Sequence, residues 1–418
     1  MGGKASLVLV ISFGVIFGIV GTNLIRTSND ATDNFVDYYK KEKAHSIATS
    51  ALNIAANKIF FDHNWNAGLN NLPIAGGTAN VTVQNFGIYG KKVTSISNFT
   101  GYSDTAIAWL EPKNFAQYGN FYDVMGSVWA AAGDTFSGPF HTNDFLQSVG
   151  HPVFRGFTTC TKGIKNFDGA SSPELQGGFS LSANIPLSFD ASLIENAAIA
   201  GGKVFEKSPG SGYINVKLNF NSDGTVTYWQ RNGGGGPWGD STRVALTTLA
   251  PNGVLYVKKG DVFIKGVLNG KATLMANKSG TGGIIHISDD IVYKKNPLIE
   301  ASTDMLGLVA QEQVQLDLDP SRGDVNIHGS IYSQNRGLYV ETSDVNTFPE
   351  FSQAYNMNLL GGVIGKKVDA TADYELIGGV WKPVRGYSYV HKFDERFNKE
   401  VPPFFPVTVK LRVVNWLE

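Results

Sequence analysis

Five residues that could do chemistry fall within eleven positions: His141, Thr142, Asn143 and Asp144 in the run GPFHTND, and His151 close behind. His and Asp at such short spacing can ligate a transition metal or share a proton with a substrate. They can equally form a polar turn, in which Asn143 and Asp144 bond local backbone and His141 caps a strand end. No second ligand set such as HExxH accompanies them, so the polar turn is preferred. No catalytic, cofactor or metal residue is assigned.

A second set of candidates consists of Asp289, Asp290, Asp317, Asp319 and Asp324 with Arg322 and Arg336. Asp317 and Asp319 have the i, i+2 spacing that puts two carboxylates on one face of a strand, as glycoside chemistry would need. The run DLDPSRGD has a superficial likeness to a calcium loop, but Arg322 stands where an EF-hand requires Gly. Fixed turn or surface charge is the preferred role. The seven Trp residues, at positions 65, 109, 129, 229, 238, 381 and 416, form no evident sugar-stacking row in the sequence.

The element on which the chain is organised lies at its start. Residues 5–25 read ASLVLVISFGVIFGIVGTNLI and carry no formal charge. At about 1.5 Å per residue they span roughly 30 Å, the thickness of a bilayer's hydrocarbon core. Gly14 and Gly18 stand in GxxxG spacing, which favours close helix contact in lipid. The helical pattern then continues to about Phe60. Ala44, Ile47, Ala48, Ala51, Leu52, Ala55, Ala56 and Ile59 recur at steps of three and four, so they share one narrow stripe. Small residues there let a second backbone approach, either the chain's own sheet or a neighbouring helix. Gly14, Gly18, Ala44, Ala48, Ala51 and Ala55 are the expected assembly interface.

This start, with Gly2 and Gly3 before Lys4, the apolar run, and AHSIATSALNIAANKIF, resembles the type IV pilin and pseudopilin family, in particular its PilX-like minor subunits. Val8 stands where that family usually carries a Glu. The resemblance implies a long helix, half in the membrane and half packed on a small sheet, in a subunit that associates with other pilin-like or envelope proteins.

Beyond the helix, NVTVQNF, KKVTSIS and DTAIAWL alternate and are separated by glycine-containing turns, which predicts a three-stranded antiparallel meander over 78–110. It is preceded by a turn-rich connection, FFDHNWNAGLNNLPIAGG. From residue 253 onward short apolar strands follow one another without a helical pattern, joined by Gly, Asn and Asp. A stacked parallel solenoid or an antiparallel sandwich would both fit. The order GVLYVKKGDVFIKGVLNGKATLMA, SDDIVY, DMLGLVAQEQVQL, DVNIHGSIYS, GYSYVHKFDERF and VPPFFP, together with GPFHTND, resembles an exported β-rich bacterial envelope family that has no assigned reaction. That resemblance implies a solenoid-like body on a pilin-like anchor.

The expected architecture is therefore α+β and mainly β. It comprises a transmembrane and amphipathic helix (1–60), a pilin-like meander (61–112), a β-rich middle region with the GPFHTND motif (113–240), β-solenoid-like repeats (241–345) and a C-terminal β extension (346–418). Charge is balanced, with 35 basic and 36 acidic residues, which disfavours a nucleic-acid partner. A lone Cys160 rules out an internal disulfide. The apolar run is too long for a cleavable signal and no A-x-A site follows it. Lys4 precedes the span while Arg26, Lys40, Lys41 and Lys43 follow it, so a count of basic residues alone would place the body inside. The pilin resemblance instead implies a body in the periplasm or on a surface filament. Two functions remain from the sequence: a structural or adhesive subunit with a possible glycan or surface ligand, and a membrane-anchored carbohydrate-active enzyme on a β-helix.

Overall fold

The computed structural model describes residues 2–188, 190–207, 212–233, 235–280, 282–344 and 347–417. The protein is mainly β, with a long N-terminal apolar helix and an antiparallel sheet. Its chain divides into two compact units, Met1–Pro112 with Lys410–Glu418, and Lys113–Val409.

In the first unit a single helix runs over Gly2–Phe61. By length and composition it can cross a membrane. Its first part is bare: Leu7 is 63% exposed and Phe17 is 71% exposed. From Ala44 the stripe sinks into a core, and Ile47, Ala48, Ala51, Leu52, Ala55 and Ile59 are completely buried. They lie against Ala79, Val81, Val93, Ala106, Ala108 and Leu110 of the chain's own sheet. Small side chains on both surfaces bring helix and sheet together closely, and the Ser97 hydroxyl donates to the Ala44 carbonyl at 2.7 Å.

That sheet has five strands in the order Leu69–Ile74, Gly77–Phe86, Gly90–Phe99, Tyr102–Asn114 and Val407–Leu417. The first four pair antiparallel. Two of the hairpins turn on residue pairs that both have positive φ, Ala75 with Gly76 and Thr100 with Gly101, which is the twist-matched two-residue connection. The predicted meander is three of these strands. The predicted connection hides a fourth, Leu69–Ile74, whose alternation is broken by a register shift between Leu69 and Leu72 and by Asn71 at φ 48°.

The second unit is built of parallel ladders. In one, the strands Lys203–Phe205, Val254–Val257, Lys271–Ala276, Met305–Ala310, Val325–Ser333 and Ala354–Lys367 pair in succession, all parallel. The ladder does not stop there. Ala354–Lys367 next accepts Asn120–Val124, followed by Phe140–Thr142, Thr158–Cys160 and Phe179–Leu181. The segment that begins the unit thus stacks on its last long strands.

Inside the ladder one row, Leu255, Leu274, Leu308, Ile331 and Val363, is in direct register. All five are buried. Gly329 and Gly361 face each other across two of these strands with φ of 152° and 144°. A side chain at Gly361 would collide with the Gly329 carbonyl, which explains glycine at this rung. A second parallel ladder joins Ile214–Phe220, Gly260–Leu268, Ile284–Tyr293, Gln313–Leu316 and Leu338–Val340. Helix Ala191–Gly201, capped by Asp190 accepting from Ser192 N at 2.9 Å, was not evident from the sequence.

Candidate functional site

The helix carries the expected assembly residues in two different settings. Ala44, Ala48, Ala51 and Ala55 are covered by the chain's own sheet. They form a contact within the chain, which is one of the two partners, own sheet or neighbouring helix, that the small-residue stripe could admit. Gly14 and Gly18 lie on the bare part, where an added methyl group would meet nothing within 4 Å. Outside the covered stripe, Tyr102 donates to Asp37 at 2.6 Å and His45 lies 2.8 Å from Asp104.

The GPFHTND residues occupy a rung of the first ladder. His141 lies within the strand Phe140–Thr142, in register between Phe121 and Thr159. It is completely buried. Its ring packs on Phe121 at 4.8 Å, Nδ1 is 2.7 Å from Thr159 Oγ1, and Nε2 is 2.9 Å from Asn143 Oδ1. Asn143 in turn donates to Asp123 at 2.8 Å and to the Ile185 carbonyl at 2.7 Å, and accepts from Ile185 N at 2.8 Å. Asp144 binds Lys162 at 2.9 Å and accepts from Met125 N at 3.3 Å, while Thr142 Oγ1 accepts from Asp144 N at 3.1 Å. Burial lowers the His141 pKa below the usual value, so the ring is neutral at physiological pH. The motif is a polar splice joining successive strands, and His141 is not the strand-end cap expected from sequence. His151 is exposed and lies 3.1 Å from the Ser172 carbonyl.

The acids of the second set do not converge. Asp317 holds His286 at 2.7 Å and Ser288 at 2.9 Å. Asp290 accepts from Asn326 N at 2.8 Å and Asp324 from Asn356 N at 2.8 Å, each a bond to a neighbouring strand of the ladder. Asp319 closes a local turn on Ser321, and Asp289 accepts from Asp290 N. Arg322 donates to the Ser288 carbonyl at 2.8 Å. Asp290, Asp317, Asp324 and Arg322 tie adjacent strands together, whereas Asp289 and Asp319 serve local turns. Among the described residues, no group of three or more His, Cys, Asp or Glu is arranged to hold a metal ion.

The structure reveals a cavity of about 280 Å³ that the sequence did not announce. Tyr122, Phe136, Phe140, Tyr374 and Tyr389 line it, with Asp134 and Asp369 at its wall. Asp369 is held by Arg336 through bonds of 2.9 and 3.2 Å. Asp134 has no cation at ion-pair distance among the described residues. It accepts from Ala131 N at 2.8 Å and from the Tyr374 hydroxyl at 2.9 Å. Burial outweighs those two bonds and pushes its pKa up to about 6. Because the folded chain then holds the proton more tightly than the unfolded chain, Asp134 favours folding fully below about pH 3.8, and that contribution is lost as pH rises through about 6. Asp134→Asn is expected to remove this downward slope between pH 4 and 6 in thermal-unfolding curves. A slope identical to that of the parent chain would refute the assignment.

No family model matches the chain, and no curated protein matches it by sequence. Among solved structures it is similar to the competence-associated pilin ComZ from Thermus thermophilus, with 11% identity, coverage of 90% of this chain and 97% of that chain, and a TM-score of 0.34.

Proposed function

We propose that the protein is a structural, membrane-anchored pilin-like subunit of a cell-surface filament or envelope assembly, with a β-solenoid body held outside the inner membrane for adhesion or assembly. The observation that carries this reading is the division of one continuous helix. Residues 44–59 are seated on the chain's own sheet, whereas the apolar part before Arg26 is bare on every side. A bare apolar helix of bilayer length needs lipid or other apolar helices around it. Gly14 and Gly18 would then lie where such helices approach one another. The continuous parallel pairing from Lys203–Phe205 to Phe179–Leu181 supports a solenoid body. The many acids tied into neighbouring strands favour scaffold over catalyst.

The test is biochemical. Filaments sheared from the surface of the producing cells should contain this chain, and Gly14→Leu together with Gly18→Leu should deplete it from them while leaving its membrane level unchanged. A chain absent from every surface filament and envelope complex would contradict the proposal.

A further inference from the structure

The outward face of the second ladder gathers aromatic and basic side chains that are far apart in sequence. Ile214–Phe220 lies between two partners, pairing antiparallel with Thr225–Asn232 and parallel with Gly260–Leu268. Val216, Leu218, Val262, Ile264, Ile285 and Ile287 are buried. Strand alternation therefore turns the intervening residues outward. In register across the strands this gives one outward row, Trp229, Lys217, Phe263 and His286, flanked by Arg231 and Lys265 two residues to either side. The loop beyond Asn232 returns Trp238 over this row. Its ring stands edge-on to Phe263 with centroids 6.0 Å apart, with Lys217 Nζ at 4.4 Å and the Arg231 guanidinium at 4.5 Å. Trp229 and Trp238, merely scattered in the sequence, thus share one groove.

That groove encloses about 730 Å³, within the usual range for ligand sites of roughly 300–1,000 Å³. Among the described residues, Lys217, Arg231 and Lys265 have no carboxylate at ion-pair distance. The nearby acids are already engaged elsewhere: Asp261 accepts from the Tyr213 hydroxyl and from Ile284 N, and Asp317 from His286 and Ser288. Three uncompensated cations beside tryptophan, phenylalanine and histidine rings match a ligand that alternates negative charge with apolar ring faces.

We propose that this groove binds an acidic polysaccharide, a chain of carboxylate-bearing sugars whose charges meet Lys217, Arg231 and Lys265 and whose C–H faces lie on Trp229 and Trp238. A single-stranded nucleic acid fits less well. It needs a basic track along its whole backbone, whereas the cations lining the groove are Lys217, Arg231 and Lys265 alone and the chain carries a formal net charge of −1. The proposal stands independently of the filament reading, because it rests on one face of the body alone.

The experiment uses the full chain in detergent, titrated with oligogalacturonate while tryptophan emission and binding heat are followed. Maltooligosaccharide serves as the neutral control and a single-stranded oligonucleotide as the anionic one. The acidic sugar is expected to bind and to weaken as salt rises, since the contacts are ionic. Lys217→Ala with Arg231→Ala should reduce affinity about tenfold or more, and the exposed Lys265→Gln, which disturbs no core contact, should also weaken it. No binding of oligogalacturonate, or binding unchanged in both variants, would overturn the proposal. Equal binding of the neutral sugar would refute the role given to the cations, and tighter binding of the oligonucleotide through the same residues would reassign the ligand class.

Discussion

The body unit is expected to lose stability steeply as pH falls from about 6.5 to 4, because two of its histidines are held neutral. His391 is buried, and its pKa is pushed down to about 4 by loss of hydration. The hydrogen bonds fix the reason at atomic level. Nε2 lies 3.0 Å from the Gly361 carbonyl, so it carries the hydrogen, while Nδ1 accepts from Ser137 N at 3.3 Å. A proton added at Nδ1 would face that N–H. His328 is likewise lowered to about 4 by burial, with Nδ1 accepting from Tyr293 N at 3.0 Å. For a group whose folded pKa is depressed, the unfolded chain takes up the proton first. The stabilisation is complete above about pH 6.5 and is lost as pH falls through 4. For His391 the shift corresponds to about 3 kcal/mol, with a smaller share from the half-buried His328. Asp134 acts in the opposite direction over part of this window, so its contribution offsets some of the loss. Titration of the ring resonances by NMR checks the assignment directly. A His391 midpoint near the ordinary value of about 6.5, with no acid-side loss of thermal stability, would refute it.

The second large effect concerns the helix. Ala51 is completely buried between the helix and the apposed alanines of the sheet. Replacing it with Phe should cost about 3 kcal/mol, the upper end for overpacking a filled site, because the helix backbone and the sheet must separate to admit the ring. The loss should show in the thermal unfolding of the first unit, with the pH response of the body unchanged. If Ala51→Phe leaves the melting of that unit as it was, the stripe is not packed as described.

What the sequence made legible follows from how local each signal is. The membrane-length run and the three- and four-residue spacing from Ala44 to Ile59 lie within one helix, and both were readable. That a small sheet packs on the helix was expected from the pilin resemblance, but the residues that do so were not readable, because Ala79, Ala106 and Ala108 carry no mark of being its partners. Alternation identified the strands from residue 77 onward but failed at Leu69–Ile74, where the register shift breaks the period. In the body, short apolar strands without helical spacing left a parallel stack and an antiparallel sandwich both open, since strand direction has no local mark. The join between Asn120 and Val363 had no local signature at all, since its two sides are brought together only by the closing of the ladder. For the same reason His141 read as a turn residue: its decisive partners, Thr159 and the segment at Ile185, come from other parts of the chain. Trp229 and Trp238 read as scattered because the register that aligns Lys217 with both Trp229 and Phe263 is a property of the sheet.

The most direct test of the proposed function is the placement of the body relative to the membrane that the helix is long and apolar enough to cross. Large domains translocate largely regardless of flanking charge, so Arg26, Lys40, Lys41 and Lys43 weigh little against export. Protease added to cells whose outer envelope has been permeabilised should degrade the body, and an enzymatic reporter fused after Glu418 should be active only in its extracytoplasmic form, while a cytoplasmic control protein stays intact. A body protected together with that control would contradict both the exported location and the pilin-like role.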